Sequence, residues 1–185
     1  MNERLPFPQE ALEILVKNGC TPTVINHCKT VATLAKEIAE NCRKKGANVN
    51  VRLVEVGALL HDVGRSKTHN VNHPIVGADI ARRFNMPENV VNIIERHLGG
   101  GISIDEAKQL GWPIKSYLPQ TLEEKIVSYA DKLIEGTQMV PIEQTLQSLS
   151  EKLGKEHPAI GRIRAIHEEI ASLIGDPDVD NDHTA

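Results

Sequence analysis

His61 and Asp62 stand side by side at the end of an apolar run, Gly57-Ala58-Leu59-Leu60-His61-Asp62-Val63-Gly64-Arg65. An imidazole and a carboxylate are costly to bury unless something neutralises or coordinates them. Placed where a buried helix ends, the two read as metal ligands. Other predicted helices carry further residues of ligand type, His27, His73, His97 and Asp131, on their apolar faces. Val24, His27, Val31, Leu34 and Ile38 follow helical spacing, so His27 lies on the buried stripe. Val54, Ala58 and His61 share a face, as do His73, Gly77, Ile80 and Phe84. The same holds for Val90, Ile93 or Ile94, and His97, and for Val127, Asp131 and Ile134.

A single histidine on an apolar face is usually a hydrogen-bonded core residue, and a single buried aspartate usually caps a helix. The inward histidines His27, His61, His73 and His97, with Asp62 and Asp131, would each need a separate neutral partner. One or two divalent ions satisfy all of them together. Imidazole and carboxylate ligands without thiolate suit Fe, Mn, Ni, Co or Zn.

The elements that must position these residues are helical nearly throughout. Pro8 to Lys17 reads as a short helix stopped by Gly19. Thr21-Pro22 is an N-cap followed by proline at the first helical position, opening a helix to about Lys45. A third helix covers about Val51 to Asp62, followed by a loop from Val63 to Asn72 that holds Arg65, Lys67 and His69. Pro74 and Pro87 start the next two, the second ending near Leu98 before Gly99-Gly100-Gly101, which reads as a mobile rim or a helix stop. Ser103-x-x-Glu106 and Thr121-x-x-Glu124 are capping boxes. The second box opens a helix to about Glu135, and further helices run roughly from Ile142 to Leu153 and from Pro158 to Ile174. No internal repeat and no strand pair stands out. The expected fold is all-α, one helical domain over 1–174, with an acidic, disordered tail over 175–185.

Composition narrows the function classes. Of 185 residues, 40% are hydrophobic but only 3% aromatic, so the core must be aliphatic and no platform for stacking bases stands out. A net charge of -4 with no basic tract argues against strong non-specific nucleic-acid binding. Cys20, Cys28 and Cys42 form no C-x-x-C pair, and their odd number argues against a disulfide framework. With no signal peptide or membrane span visible, a cytoplasmic location is expected.

The order His27 … His61-Asp62 … Asp131 resembles the H…HD…D signature of the HD-domain metal-dependent phosphohydrolase superfamily, over about Pro22 to Gly136. The context Leu-Leu-His-Asp-Val-Gly-Arg, the opening Thr21 six residues before His27, and Tyr129-Ala130-Asp131-Lys132 strengthen the likeness. His73-Pro74-x-x-Gly77-Ala78 and Glu95-Arg96-His97 resemble the extra histidines of dinuclear members, including HD-GYP phosphodiesterases and dinucleoside tetraphosphate hydrolases. The HD-GYP motif itself is absent, and Arg65 stands where many relatives have lysine. The resemblance implies an HD-type helical bundle in which His27, His61, Asp62 and Asp131 hold one ion. Asp62 would bridge to a second ion held by His73 and His97.

Hydrolysis of a phosphate ester or anhydride by metal-activated water is then the leading expectation, with a small phosphorylated, nucleotide-like substrate. Asp62, Arg65 and Asp131 are the candidate catalytic residues, and Arg65, Lys67 and Lys132 the candidate phosphate-binding ones. Some di-iron relatives with this ligand set are oxygenases, and others are ligand-sensing modules that have lost ligands. The helices after about Pro141 lie outside the resemblance and could complete the bundle or form a homodimer surface.

Overall fold

The computed structural model describes residues 4–174. The expected tail over 175–185 lies outside the described residues. α1 (Pro8–Lys17), α2 (Pro22–Lys44) and α3 (Val51–Leu60) come first. A 3-10 turn over Val63–Ser66 leads to α4 (His73–Arg83) and α5 (Glu88–Arg96). A second 3-10 turn, Leu98–Gly100, precedes α6 (Ile104–Gln109) and α7 (Leu122–Lys132). The strands β1 (Ile134–Glu135) and β2 (Gln138–Met139) form a small hairpin before α8 (Ile142–Leu153) and α9 (Pro158–Ile174).

The starts of these helices follow their caps. The Thr21 hydroxyl accepts from Val24 N at 3.3 Å, and Asn50 Oδ1 accepts from Leu53 N at 3.1 Å. Ser103 and Glu106 form the full capping box. The box at Thr121 is only half formed. Thr121 accepts from Glu124 N, but the Glu124 carboxylate turns to Gln120 N and Arg96. Those two donors together draw the carboxylate away from Thr121 N.

α3 is the hub. Leu53, Val54, Val56, Gly57, Ala58, Leu59 and Leu60 are all buried, against α1, α2, α5 and α7. Gly57 permits the close approach of α5, because a Cβ there would lie 2.8 Å from Ile93 Cγ2. The aliphatic core is continuous from Ala11 on α1 to Ile170 on α9. Trp112, Tyr117, Ile102 and Ala107 form a smaller cluster around α6.

The sequence reading departs from the structure after Asp131. The helix carrying Asp131 stops at Lys132 rather than Glu135, and the chain turns back as an antiparallel hairpin pairing Ile134 with Met139. Gly136, with φ of 62°, makes that turn possible. The glycine triplet is a helix stop rather than a rim: Gly100 is buried against Ile163 and Arg162 of α9, and Gly101 against Leu118 and Pro119. All three cysteines are buried free thiols. Among the described residues, no helix is long and apolar enough to cross a membrane.

Candidate metal centre

His61 and His97 are the C-cap residues of α3 and α5, where the last carbonyls lack helical partners. Each ring curls back onto one of them. His61 Nδ1 donates to Ala58 O at 2.6 Å and His97 Nδ1 to Ile94 O at 2.8 Å. His73, opening α4, donates from Nδ1 to Asn70 O at 2.9 Å. His27, on α2, donates from Nδ1 to Gly136 O at 2.8 Å, so the hairpin turn supplies its partner. A carbonyl can only accept, so each neutral ring carries its proton on Nδ1 and turns the lone pair of Nε2 inward.

Those lone pairs converge with both aspartates. His27 Nε2 lies 3.1 Å from Asp131 Oδ1, and His61 Nε2 lies 3.4 Å from the same oxygen. Asp62 Oδ1 faces His73 Nε2 at 3.1 Å and His97 Nε2 at 3.6 Å, while Asp62 Oδ2 lies 3.8 Å from His61 Nε2. His73 and His97 bring their Nε2 atoms within 3.2 Å. Two acceptors that close have no proton to share and repel unless a cation sits between them. His61 Nε2 and Asp62 Oδ1 are buried without a well-aligned hydrogen-bond partner.

Ligand atoms of His27, His61 and Asp131 lie within 4.8 Å of one another, as do those of His61, Asp62 and His97. Mixed imidazole and carboxylate donors, with each imidazole oriented by an outer carbonyl, fit a divalent transition metal. All six residues of the expected ligand set therefore face one centre. Ser128, one turn before Asp131, supports it from behind by donating to His97 O at 2.8 Å. Sequence reading missed both Ser128 and the Gly136 carbonyl; the spacing of Ser128 from Asp131 on one helix face was the available signal for the first.

The electrostatics follow from burial against charge. Burial pushes the Asp62 carboxyl up, but His61, His73 and His97 outweigh it and hold it well below its ordinary range. Burial likewise opposes ionisation of Asp131, and is outweighed by Lys132, His27 and His61. His61 is disfavoured as a cation by burial yet lifted by Asp62 and Asp131. Burial dominates at His97, which falls to about 4, with His61 and His73 pushing the same way. His97 is thus neutral at physiological pH, the form that ligates metal.

The candidate phosphate-binding residues divide. Arg65 Nε donates to Asp62 Oδ2 at 2.5 Å, and Lys132 Nζ to Asp131 Oδ2 at 2.6 Å, so both cations lie on the centre. The long lysine chain bends back along α7, overcoming the 100° offset between adjacent helix positions. Lys67 is exposed, with its ammonium 3.5 Å from Asn18 O. His69 is also exposed on this loop, and His167 is held by Tyr129 Oη at 2.7 Å. His61, His73, His97 and Asp62 are buried, whereas His27, Asp131, Arg65 and Lys132 are partly exposed, so the centre opens on one side.

Comparison with known proteins places this centre in a family. The model of the HD domain matches residues 24–136. An uncharacterised protein from Methanocaldococcus jannaschii is 48% identical over 166 residues, 90% of this chain and 98% of that protein. A tRNA (cytidine(56)-2'-O)-methyltransferase from Picrophilus torridus is 39% identical over 173 residues. That match covers 92% of this chain but only 48% of the methyltransferase. Among solved structures, the HD domain of the L. monocytogenes phosphodiesterase PgpH in complex with cyclic-di-AMP superposes with a TM-score of 0.58. It covers 95% of this chain and 99% of that one at 19% identity, a likeness of fold. The metal-type cluster lies within the matched region, and the chain belongs to the HD domain family.

Proposed function

We propose that the chain is a metal-dependent phosphohydrolase acting on a nucleotide or a related phosphate ester. The observation that carries this reading is the convergence of His27, His61, His73 and His97 on Asp62 and Asp131 beside two cations at the open side. His27, His61, Asp62 and Asp131 would hold one ion, and His73 and His97 a second, with Asp62 turning one oxygen to each group. A divalent ion held there would lower the pKa of bound water to about 7 and so supply hydroxide at neutral pH.

The chain's own residues do the rest. The buried side of the cluster excludes water and fixes the direction of approach. A phosphate entering from the open side meets the Arg65 guanidinium and the Lys132 ammonium, which neutralise its oxygens as charge builds in the transition state. Asp131, partly exposed beside His61, would take up the proton released from water. Lys67, further out on the same loop, draws the anion inward. A tRNA methyltransferase among the relatives and a cyclic-di-AMP complex among the structural neighbours support a nucleotide as the substrate class.

A di-iron oxygenase would use the same donors but would require dioxygen. The test is anaerobic. Protein stripped with a chelator and reloaded with redox-inert Zn²⁺ or with Mn²⁺ should release phosphate or nucleoside from a panel of nucleotides. Dioxygen consumption by a reduced iron pair, with no hydrolysis under any metal, would assign the oxygenase instead.

A further inference from the structure

Beside the centre, at Asp131 and Lys132, lies a cleft of about 320 Å³ between the end of α7, the hairpin and α8. Asp131 and Lys132 line it and belong to the metal-type cluster as well. Its far wall is α8, from which Gln144, Ser148 and Lys152 project at intervals of one helical turn. Their pairing is informative. Outside the cleft, Glu143 of α8 pairs with Arg164 and Gln147 donates to Glu151. Thr145, at the inner end, donates to Lys132 O at 2.7 Å and so ties α8 to the catalytic helix. No hydrogen bond or ion pair engages the side chains of Gln144, Ser148 or Lys152 among the described residues. Ile134, Val140 and Leu149 give the cleft an apolar side.

We infer that this cleft is the subsite for the part of the substrate that does not react, and that Lys152 there recognises a second phosphate. This rests on the phosphohydrolase reading of the adjoining centre. From Thr145, fixed to Lys132, to Lys152 is seven residues of helix, about 10 Å at 1.5 Å per residue. A phosphate held at Lys132 leaves that length of the cleft, with Lys152 at its far end, to another part of the substrate. An ester with a second phosphate across a sugar can reach Lys152, with Gln144 and Ser148 offering donors and acceptors to the sugar between them. The cleft carries Lys132 at one end, paired with Asp131, and Lys152 at the other, with Glu135 on the hairpin side and a polar ledge of Gln144 and Ser148 between them. Such an arrangement selects for a doubly phosphorylated nucleoside or dinucleotide over a simple monoester. It also gives α8, which lies beyond the matched region, a role in specificity.

The test compares two probes differing by one phosphate, adenosine 3′,5′-bisphosphate and adenosine 5′-monophosphate. Binding is read by calorimetry, and KM wherever hydrolysis occurs. The full chain should prefer the bisphosphate by about ten-fold, as expected for one charge-assisted contact. Lys152→Ala should abolish the preference and Lys152→Arg should keep it. No preference in the native chain, or one that survives Lys152→Ala, overturns the subsite. The two failures separate cleanly. If neither nucleotide nor any other phosphate ester is hydrolysed under any metal, the phosphohydrolase reading falls, while the calorimetric preference still decides the subsite.

Discussion

Each inward histidine is oriented by a backbone carbonyl on Nδ1: Ala58, Asn70, Ile94 or Gly136. This fixes the tautomer before any metal arrives and saves the ordering cost of swinging rings into place. Each aspartate turns one oxygen to two histidines and the other to a cation, and at Asp62 that second oxygen also faces His61 at 3.8 Å. Arg65 is therefore placed to serve both the carboxylate and an incoming phosphate. Arg65→Ala should lower kcat/KM for a phosphate ester by roughly a hundred-fold, the usual loss for one transition-state donor. Arg65→Lys should recover only part of it, since a point charge cannot form the same fork. Steady-state kinetics at fixed metal concentration check both. At this scale the clustering of the inward histidines was legible from helical spacing, because burial of a histidine follows from its stripe. The carbonyl clamps were less so. Those of His61 and His97 follow from their places at helix ends, but that of His27 depends on a turn 109 positions away.

The elements act by bringing backbones unusually close. The turn after Asp62 packs so tightly on α4 that a Cβ on Gly64 would collide with the His73 carbonyl oxygen and lie 2.7 Å from Gly77 N. Both obstacles are backbone, so neither can move aside cheaply. Gly64→Ala should cost about 3 kcal/mol in urea unfolding, at the upper end for overpacking, and should loosen His73 from the centre. A second device ties α6 to α9. The Glu106 carboxylate caps Ser103 N and pairs with Arg162 at 2.9 Å. Burial pushes its pKa up, but Arg162 and the cap outweigh this and leave it below the ordinary 4.5. A carboxyl lowered on folding contributes stability above its unfolded pKa and loses it as pH falls through its folded one. Glu106→Gln keeps the shape and should cost roughly 1 kcal/mol at pH 7. Unfolding curves of native and variant should converge as pH drops below about 4. The helices themselves were readable because their caps and glycine stops are local. The hairpin was not: Ile134 and Glu135 continue the helical pattern, and only Gly136 with its positive φ breaks it. The half-formed cap at Thr121 failed for a similar reason, since Arg96 reaches Glu124 from another helix.

On the scale of the whole molecule, the cluster draws side chains from α2, α3, α4, α5 and α7 or their ends, so it joins most of the bundle. The fold class was legible from the aliphatic, helical patterning. The cleft beside α8 was not, because nothing in the sequence says where a helix outside the motif packs. A cation that binds only the folded chain stabilises it by mass action, by about 2.7 kcal/mol at a hundred times its Kd. For a chain of this size that raises Tm by roughly 5–10 °C, and a chelator should reverse the rise in a thermal scan. The central claim is that the cluster around His61 and Asp62 holds the metal on which phosphate-ester hydrolysis depends. Its most direct measurement pairs metal content per chain with phosphate release for native protein, His61→Ala/Asp62→Ala, and the chelated native chain. Metal and turnover should both be present in the native protein and both be lost in the folded variant. Chelation should abolish turnover, and added metal should restore it only to the native chain. Full turnover by metal-free His61→Ala/Asp62→Ala protein would contradict the claim.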